Sequence, residues 1–207
     1  MLVTTQPSVG VSTRSKVSTR LLLACHGETD VSRQGRWQGQ QNPPLNAAGR
    51  EQALALRDTL RREPISAVYS SMLRRALETA HEIAEQHKLN VCRDERFNEI
   101  NLGAWEGMTR REIAAKYPQV LQVWETDPRR VTPPNGESIA ELERRVLAAL
   151  QEIARAYPGE TVCLIGHKTA NGVIRSHYLG LPLVEALRRV ETQGMYEVIE
   201  IPHPLWG

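Results

Sequence analysis

The sequence predicts an α/β fold, a three-layer sandwich in which a largely parallel central sheet is flanked by helices. Three observations carry that prediction. Leu21 to Cys25 and Val162 to Ile165 are continuous apolar runs of strand length, the pattern of strands covered on both faces. Each run ends beside a glycine and a histidine, as Cys25-His26-Gly27 in the first and Gly166-His167 in the second. Around them lie segments with apolar residues at three-to-four-residue spacing, so strand and helix signals alternate along the chain.

Taken in order, residues 1–18 are rich in Ser, Thr and Val, include Pro7 and Gly10, and lack a hydrophobic period. They are expected to form a flexible tail ahead of a single domain over 19–207. The strand over Leu21 to Cys25 opens into a loop through Gly35, Gly39 and Asn42-Pro43-Pro44. Asn46 then precedes a helix over Ala47 to Arg62, with Ala53, Leu56 and Leu60 as its buried face. A short strand over Ala67 to Ser70 and a helix over Met72 to His87 repeat the pattern. Val91-Cys92 is a brief extended piece, followed by helical patterns around Arg110 to Tyr117 and Val120 to Trp124. Ser138 with Glu141 is a capping box that starts a helix through Ala156, stopped by Pro158-Gly159. The strand over Val162 to Ile165, helical residues to Tyr178 and an alternating strand over Tyr196 to Ile201 complete the chain.

Composition narrows the class of function. Apolar residues make up 41% of the 207, charged residues 24%, and the formal charge is +2, so no strong field favours nucleic acid or a membrane as partner. The apolar runs are too short to span a bilayer. Cys25, Cys92 and Cys163 are odd in number and widely spaced, which fits reduced thiols and a cytoplasmic location better than a disulfide framework. Arg14 and Lys16 among Ser and Thr give only a faint likeness to a transit peptide. No CxxC metal motif is present.

The two histidines are the candidate centre. In open α/β sheets ligands bind beyond the carboxyl ends of the strands, and His26 and His167 both occupy such ends. If the two strands are neighbours, the imidazoles meet, with Gly27 and Gly166 allowing close approach of backbone to a ligand.

Six ordered blocks extend the signal: CHGETDVSRQGRWQG, NPPLNAAGREQA, SSMLRRALETA, NEINLGAWEG, NGES and GHKTANGVIR. From about Leu21 to Ile201 they resemble the histidine phosphatase superfamily, which includes the cofactor-dependent phosphoglycerate mutases. That resemblance implies the phosphoglycerate mutase-like fold and a phosphomonoester, a small molecule, as substrate, with no metal or cofactor. It implies His26 as a nucleophile that becomes transiently phosphorylated, Arg75 as a bidentate grip on phosphate oxygens, and His167 as a donor to the same oxygens. It implies Glu99 as the acid that protonates the leaving group and then activates water. Glu28, Glu106 and Glu137 are read as loop-ordering or surface carboxylates.

Two phosphate-binding positions depart from the family pattern. Cys25 stands where the motif has arginine, which removes a charge-assisted contact worth about 10² to 10³ in rate. Ser32 stands where many members have asparagine, and its hydroxyl has one hydrogen bond to give. Lys168, Arg33 or Arg36 could replace part of the lost charge. Phosphatase activity is the leading expectation. Mutase activity and a non-catalytic phospho-ligand or partner-binding role are the alternatives, and Cys25 with both histidines could in principle hold zinc.

Overall fold

A computed structural model describes residues 18–189 and 195–203. The tail expected over 1–18 therefore lies, Ser18 apart, outside the described residues. Five strands form one sheet: β1 (Ser18–Cys25), β2 (Ile65–Ser70), β3 (Val91–Arg93), β4 (Thr161–Gly166) and β5 (Tyr196–Pro202), in the order β3-β2-β4-β1-β5. The first four are parallel, and β5 runs antiparallel along the outer edge of β1. Strand β1 begins three residues before the apolar run because Ser18 to Arg20 pair with Pro202 to Glu200 of β5.

The helices among the described residues are α1 (Asp30–Arg33), α2 (Ala47–Leu60), α3 (Arg74–Gln86), α4 (Arg110–Lys116), α5 (Pro118–Thr126), α6 (Ile139–Ala156), α7 (Lys168–Leu179) and α8 (Leu183–Arg188). Their local causes are readable. Asn46 caps α2 by accepting the Gly49 N–H at 2.8 Å, and the capping box of Ser138 and Glu141 starts α6 as expected. Two helices were absent from the sequence expectation. The four-residue α1 is built almost entirely from its own cap, and α8 follows Pro182 with no side-chain cap.

Alternate residues of the buried strands face opposite layers. Leu22, Ala24, Val68, Cys163 and Ile165 pack with Leu56 and Leu60 of α2 and with Ala76, Ala80 and Ile83 of α3. Leu21, Leu23, Ala67, Val162 and Leu164 face the other way, towards Val146, Leu150 and Ile153 of α6 and Val173 of α7. Both faces of β1 and β4 are thus covered, which is why their sequences are apolar without alternation.

This topology also makes the crevice. The chain leaving β1 turns towards the α2 layer, whereas the chain leaving β4 turns into α7 on the opposite layer. Neighbouring strands whose connections part in this way open a cleft at their carboxyl ends.

Candidate active site

Strand register brings the two histidines together. Cys25 lies opposite Gly166 across β1 and β4, so the next residue on each strand, His26 and His167, emerges at the same level. Their ring centroids are 5.1 Å apart. A cavity of about 850 Å³ opens there, lined by Cys25, His26, Arg75, Glu99, Lys168 and Thr169 among others. His167 is fully buried behind this wall rather than on it.

His26 is held in one tautomer. Its Nδ1 lies 2.7 Å from the carbonyl of Gly27, an acceptor that requires the proton on Nδ1. The Nε2 lone pair is thereby bare, and it accepts a hydrogen bond from Arg75 Nε at 3.1 Å. Burial and the adjacent Arg75 charge lower the His26 pKa from 6.5 to about 3, against an upward pull from the Gly27 carbonyl. The ring is a neutral base throughout the physiological range.

Gly27 lines the cavity and also makes a close contact within the protein. A Cβ on Gly27 would sit 2.2 Å from the Gly49 carbonyl oxygen, and one on Gly166 would sit 2.2 Å from Asn171 Oδ1. A side chain at Gly27 would keep the β1 loop from resting against the start of α2.

Arg75, on the first turn of α3, is 1% exposed, whereas the Arg74 side chain is 60% exposed and paired with Glu78. The Arg75 guanidinium donates to the carbonyls of Gln41 at 2.5 Å and Gly39 at 2.8 Å as well as to His26. It makes no ion pair among the described residues. Thr79, one turn on, accepts the Gly27 N–H at 3.1 Å and donates to the Arg75 carbonyl, tying the β1 loop to α3.

Glu99 is 7% exposed and lines the cavity. Its Oε1 accepts N–H groups from Ile100 at 2.8 Å and Ala170 at 3.3 Å, and its Oε2 accepts that of Thr169 at 3.0 Å. Two of these donors are at the N-terminus of α7. Burial raises its pKa, partly opposed by those three N–H groups and by Arg75. Arg145 of α6 fixes the backbone beneath it, donating to the carbonyls of Asn98 at 2.7 Å and Glu99 at 3.1 Å.

His167 Nε2 lies 2.7 Å from Ser71 Oγ, while its Nδ1 has no hydrogen-bond partner among the described residues. Burial lowers its pKa well below 6.5, helped by the charge of Arg75. Ser71 is also fully buried and accepts the Leu73 N–H at 3.1 Å. Ser71, Thr79 and Arg145 were not singled out from sequence; the first two lie inside the SSMLRRALETA block, where their spacing from Arg75 was the available signal.

The remaining expected positions divide. Cys25 lines the cavity beside His26. Ser32 also lines it, but its hydroxyl is engaged in the α1 capping box, accepting the Thr29 N–H and donating to the Thr29 carbonyl, each at 3.0 Å. Lys168 is exposed on the cavity wall and makes no ion pair among the described residues. Arg36 lines the cavity but is paired with Glu112, and Arg33 pairs with Asp30 away from it. Glu28, Glu106 and Glu137 order loops, accepting from Asn46 Nδ2, the Gln40 N–H and Arg145 respectively. Among the described residues no cluster of three or more His, Cys, Asp or Glu could hold a metal, and no helix is long and apolar enough to cross a membrane.

Known proteins are similar to this chain in sequence and fold. Phosphoserine phosphatase 1 of Hydrogenobacter thermophilus is 35% identical over 164 residues, 79% of this chain and 78% of that protein. The bifunctional protein Rv2228c of Mycobacterium tuberculosis is 42% identical over 152 residues, 73% of this chain, and the chain spans 42% of that longer protein. The solved structure of Bacillus stearothermophilus YhfR matches with a TM-score of 0.78 and 31% identity, covering 87% of this chain and 95% of that one. The family model described as histidine phosphatase superfamily (branch 1) matches residues 21–204, so the parallel sheet, the paired strand-end histidines and these likenesses together make the chain a member of that superfamily.

Proposed function

We propose that this chain hydrolyses phosphomonoesters by way of a phosphohistidine on His26. The observation that carries the reading is the state of that ring: Nδ1 is committed to the Gly27 carbonyl, and the lone pair of Nε2 points at the Arg75 guanidinium in the cavity. A phosphoryl group entering there replaces the Arg75 Nε contact, and the guanidinium turns its charge onto the phosphate oxygens.

In the first step the P–N bond to His26 Nε2 forms as the ester P–O bond breaks, and Glu99 passes its proton to the departing alkoxide. In the second, Glu99 as carboxylate takes a proton from water, the hydroxide oxygen bonds to phosphorus, and the P–N bond breaks to release inorganic phosphate. Glu99 ends protonated, as it began. Burial raises its pKa above the usual carboxyl value, which favours the protonated form that the first step needs.

Ser71 sets the second imidazole. Ser71 Oγ accepts the Leu73 N–H, and His167 Nε2 is the one acceptor for its hydroxyl proton among the described residues, so the hydroxyl donates to Nε2 and the ring proton rests on Nδ1. That unpaired buried N–H is the donor offered to the phosphoryl oxygens, and it acts without proton exchange. Cys25 brings no charge to this end of the cavity, so Arg75 and Lys168 supply its cations, with Ser32 at the rim.

Rapid quenching with a ³²P-labelled monoester tests the scheme. A labelled, acid-labile phosphoenzyme in the wild type and none in His26→Ala is expected. Equal labelling of both, or turnover by His26→Ala, would overturn it. Incubation with 3-phosphoglycerate and bisphosphoglycerate should give no 2-phosphoglycerate.

A further inference from the structure

The phosphoryl end accounts for a small part of the cavity. The apolar side chains of Leu102, Trp124, and Val184 and Leu187 of α8 line the same cavity. At the exposed end stand Arg110, Glu125 and Arg188, which line the same cavity. Arg110 holds the Glu125 carboxylate with two hydrogen bonds, at 2.6 and 2.8 Å. Arg188 Nη2 donates to the Glu125 backbone carbonyl at 3.2 Å, a neutral acceptor. Only Arg110 is paired with the Glu125 carboxylate, so the two guanidinium groups and one carboxylate leave the group with a net positive charge.

The lining residues range from buried to exposed. Arg75 is buried, Trp124 is 8% exposed, and the Arg110 side chain is 63% exposed. The cavity that His26 lines thus also offers apolar side chains and an exposed cationic rim. Cavities of this size enclose ligands far larger than phosphate. A short polar alcohol would leave Trp124 and Leu187 in contact with water, and a purely apolar one would leave the rim charge unanswered.

We propose that Arg188, with Arg110, forms a second anion subsite, and that the preferred substrate is a phosphomonoester whose alcohol portion has an apolar body ending in a second acid group. The inference rests on the assignment of the His26 end to the phosphoryl group. A carboxylate and a phosphate-like group both satisfy the rim chemistry, and the experiment separates them.

The probes are 2-naphthyl phosphate, its 6-carboxylate and its 6-phosphonate, compared by kcat/KM on the wild type, Arg188→Ala and Arg188→Lys. The wild type is expected to favour one of the two acids over the parent ester. Arg188→Ala should lower kcat/KM for that acid about tenfold more than for the parent, the worth of one charge-assisted hydrogen bond. Arg188→Lys should restore part of the loss, and the better of the two acids names the chemistry. Equal kcat/KM for all three esters on the wild type would overturn the subsite, as would an equal fractional loss on all three in Arg188→Ala. Turnover of the parent with no preference removes the subsite alone; turnover of none removes the phosphatase reading and the subsite with it.

Discussion

Replacing Glu99 by glutamine separates its chemical role from its structural one. The carboxylate receives two N–H groups on Oε1 and one on Oε2, and an amide has one acceptor oxygen. The lower-cost orientation keeps oxygen against Ile100 and Ala170 and turns the NH₂ towards the Thr169 N–H. That opposed pair of donors costs about 1–3 kcal/mol. For a domain of this size each kcal/mol lowers Tm by about 2–4 °C, so a fall of roughly 2–12 °C is expected. The lost proton costs about 10² to 10⁴ in kcat/KM on an alkyl phosphate, and much less on 4-nitrophenyl phosphate, whose phenolate leaves unaided. Since kcat/KM reports only steps up to phosphoryl transfer, later hydrolysis of the phosphoenzyme does not blur the comparison. Assayed well below the variant's Tm, an equal loss on both esters, or full activity on the alkyl ester, would refute Glu99 as the acid.

Other consequences follow from the same contacts. Ser71→Ala releases the His167 tautomer and leaves Nε2 unpaired, and kcat/KM should fall about 10- to 100-fold while Ser71→Thr recovers part of it; an unchanged pH profile and rate in Ser71→Ala would remove the positioning role. Cys25→Arg restores a guanidinium beside the nucleophile and should raise kcat/KM on simple monoesters by about 10²; an unchanged or lower rate would show the pocket to be adapted to the thiol. His26 binds its proton near pH 6.5 when unfolded and only near pH 3 when folded, so the unfolded state holds more protons between these values and stability falls as pH falls. The slope from this residue is at most about 1.4 kcal/mol per pH unit below 6.5, and urea midpoints from pH 7 to 4.5 should flatten by that amount in His26→Gln. Parallel curves for the two proteins would show that the ring is protonated in the native state.

What was legible in the sequence is what the backbone enforces locally. Buried parallel strands need unbroken apolar runs, and these marked β1 and β4 to within a few residues; the α6 start was written in Ser138 and Glu141. The convergence of His26 and His167 was legible only as a conditional, because strand order is a long-range property that no local pattern encodes. Helix α1 was missed because four residues show no period, and α8 because its six residues bury only Leu183 and Ala186. The same holds within the site. Arg75 could be told from Arg74 by its place in a block of motif residues, and the structure puts one in the core and the other in solvent. Ser71 and Arg145 act through hydrogen bonds to residues 96 and 46 positions away, to His167 and Glu99, and their residue types alone carry no such information.

Arg75 links the electrostatics of the site to its emptiness of countercharge. A buried guanidinium without a carboxylate partner is costly, and carbonyls of Gly39 and Gln41 repay only part of the lost hydration. Burial first, and then this charge, lowers the pKa of both imidazoles and favours their neutral forms. Glu99 does not neutralise it at contact distance, because that carboxylate is turned towards the α7 N–H groups. In the proposed reaction a phosphoryl dianion would relieve all three constraints at once: it would pair with the guanidinium, accept from the His167 N–H, and present phosphorus to the His26 Nε2 lone pair. An arginine at position 25 would add a second uncompensated cation against these neutral rings. In the proposed reaction cysteine there would lower that cost in the free enzyme and give up a contact in the transition state, so Cys25→Arg is expected to act on catalytic rate more than on fold.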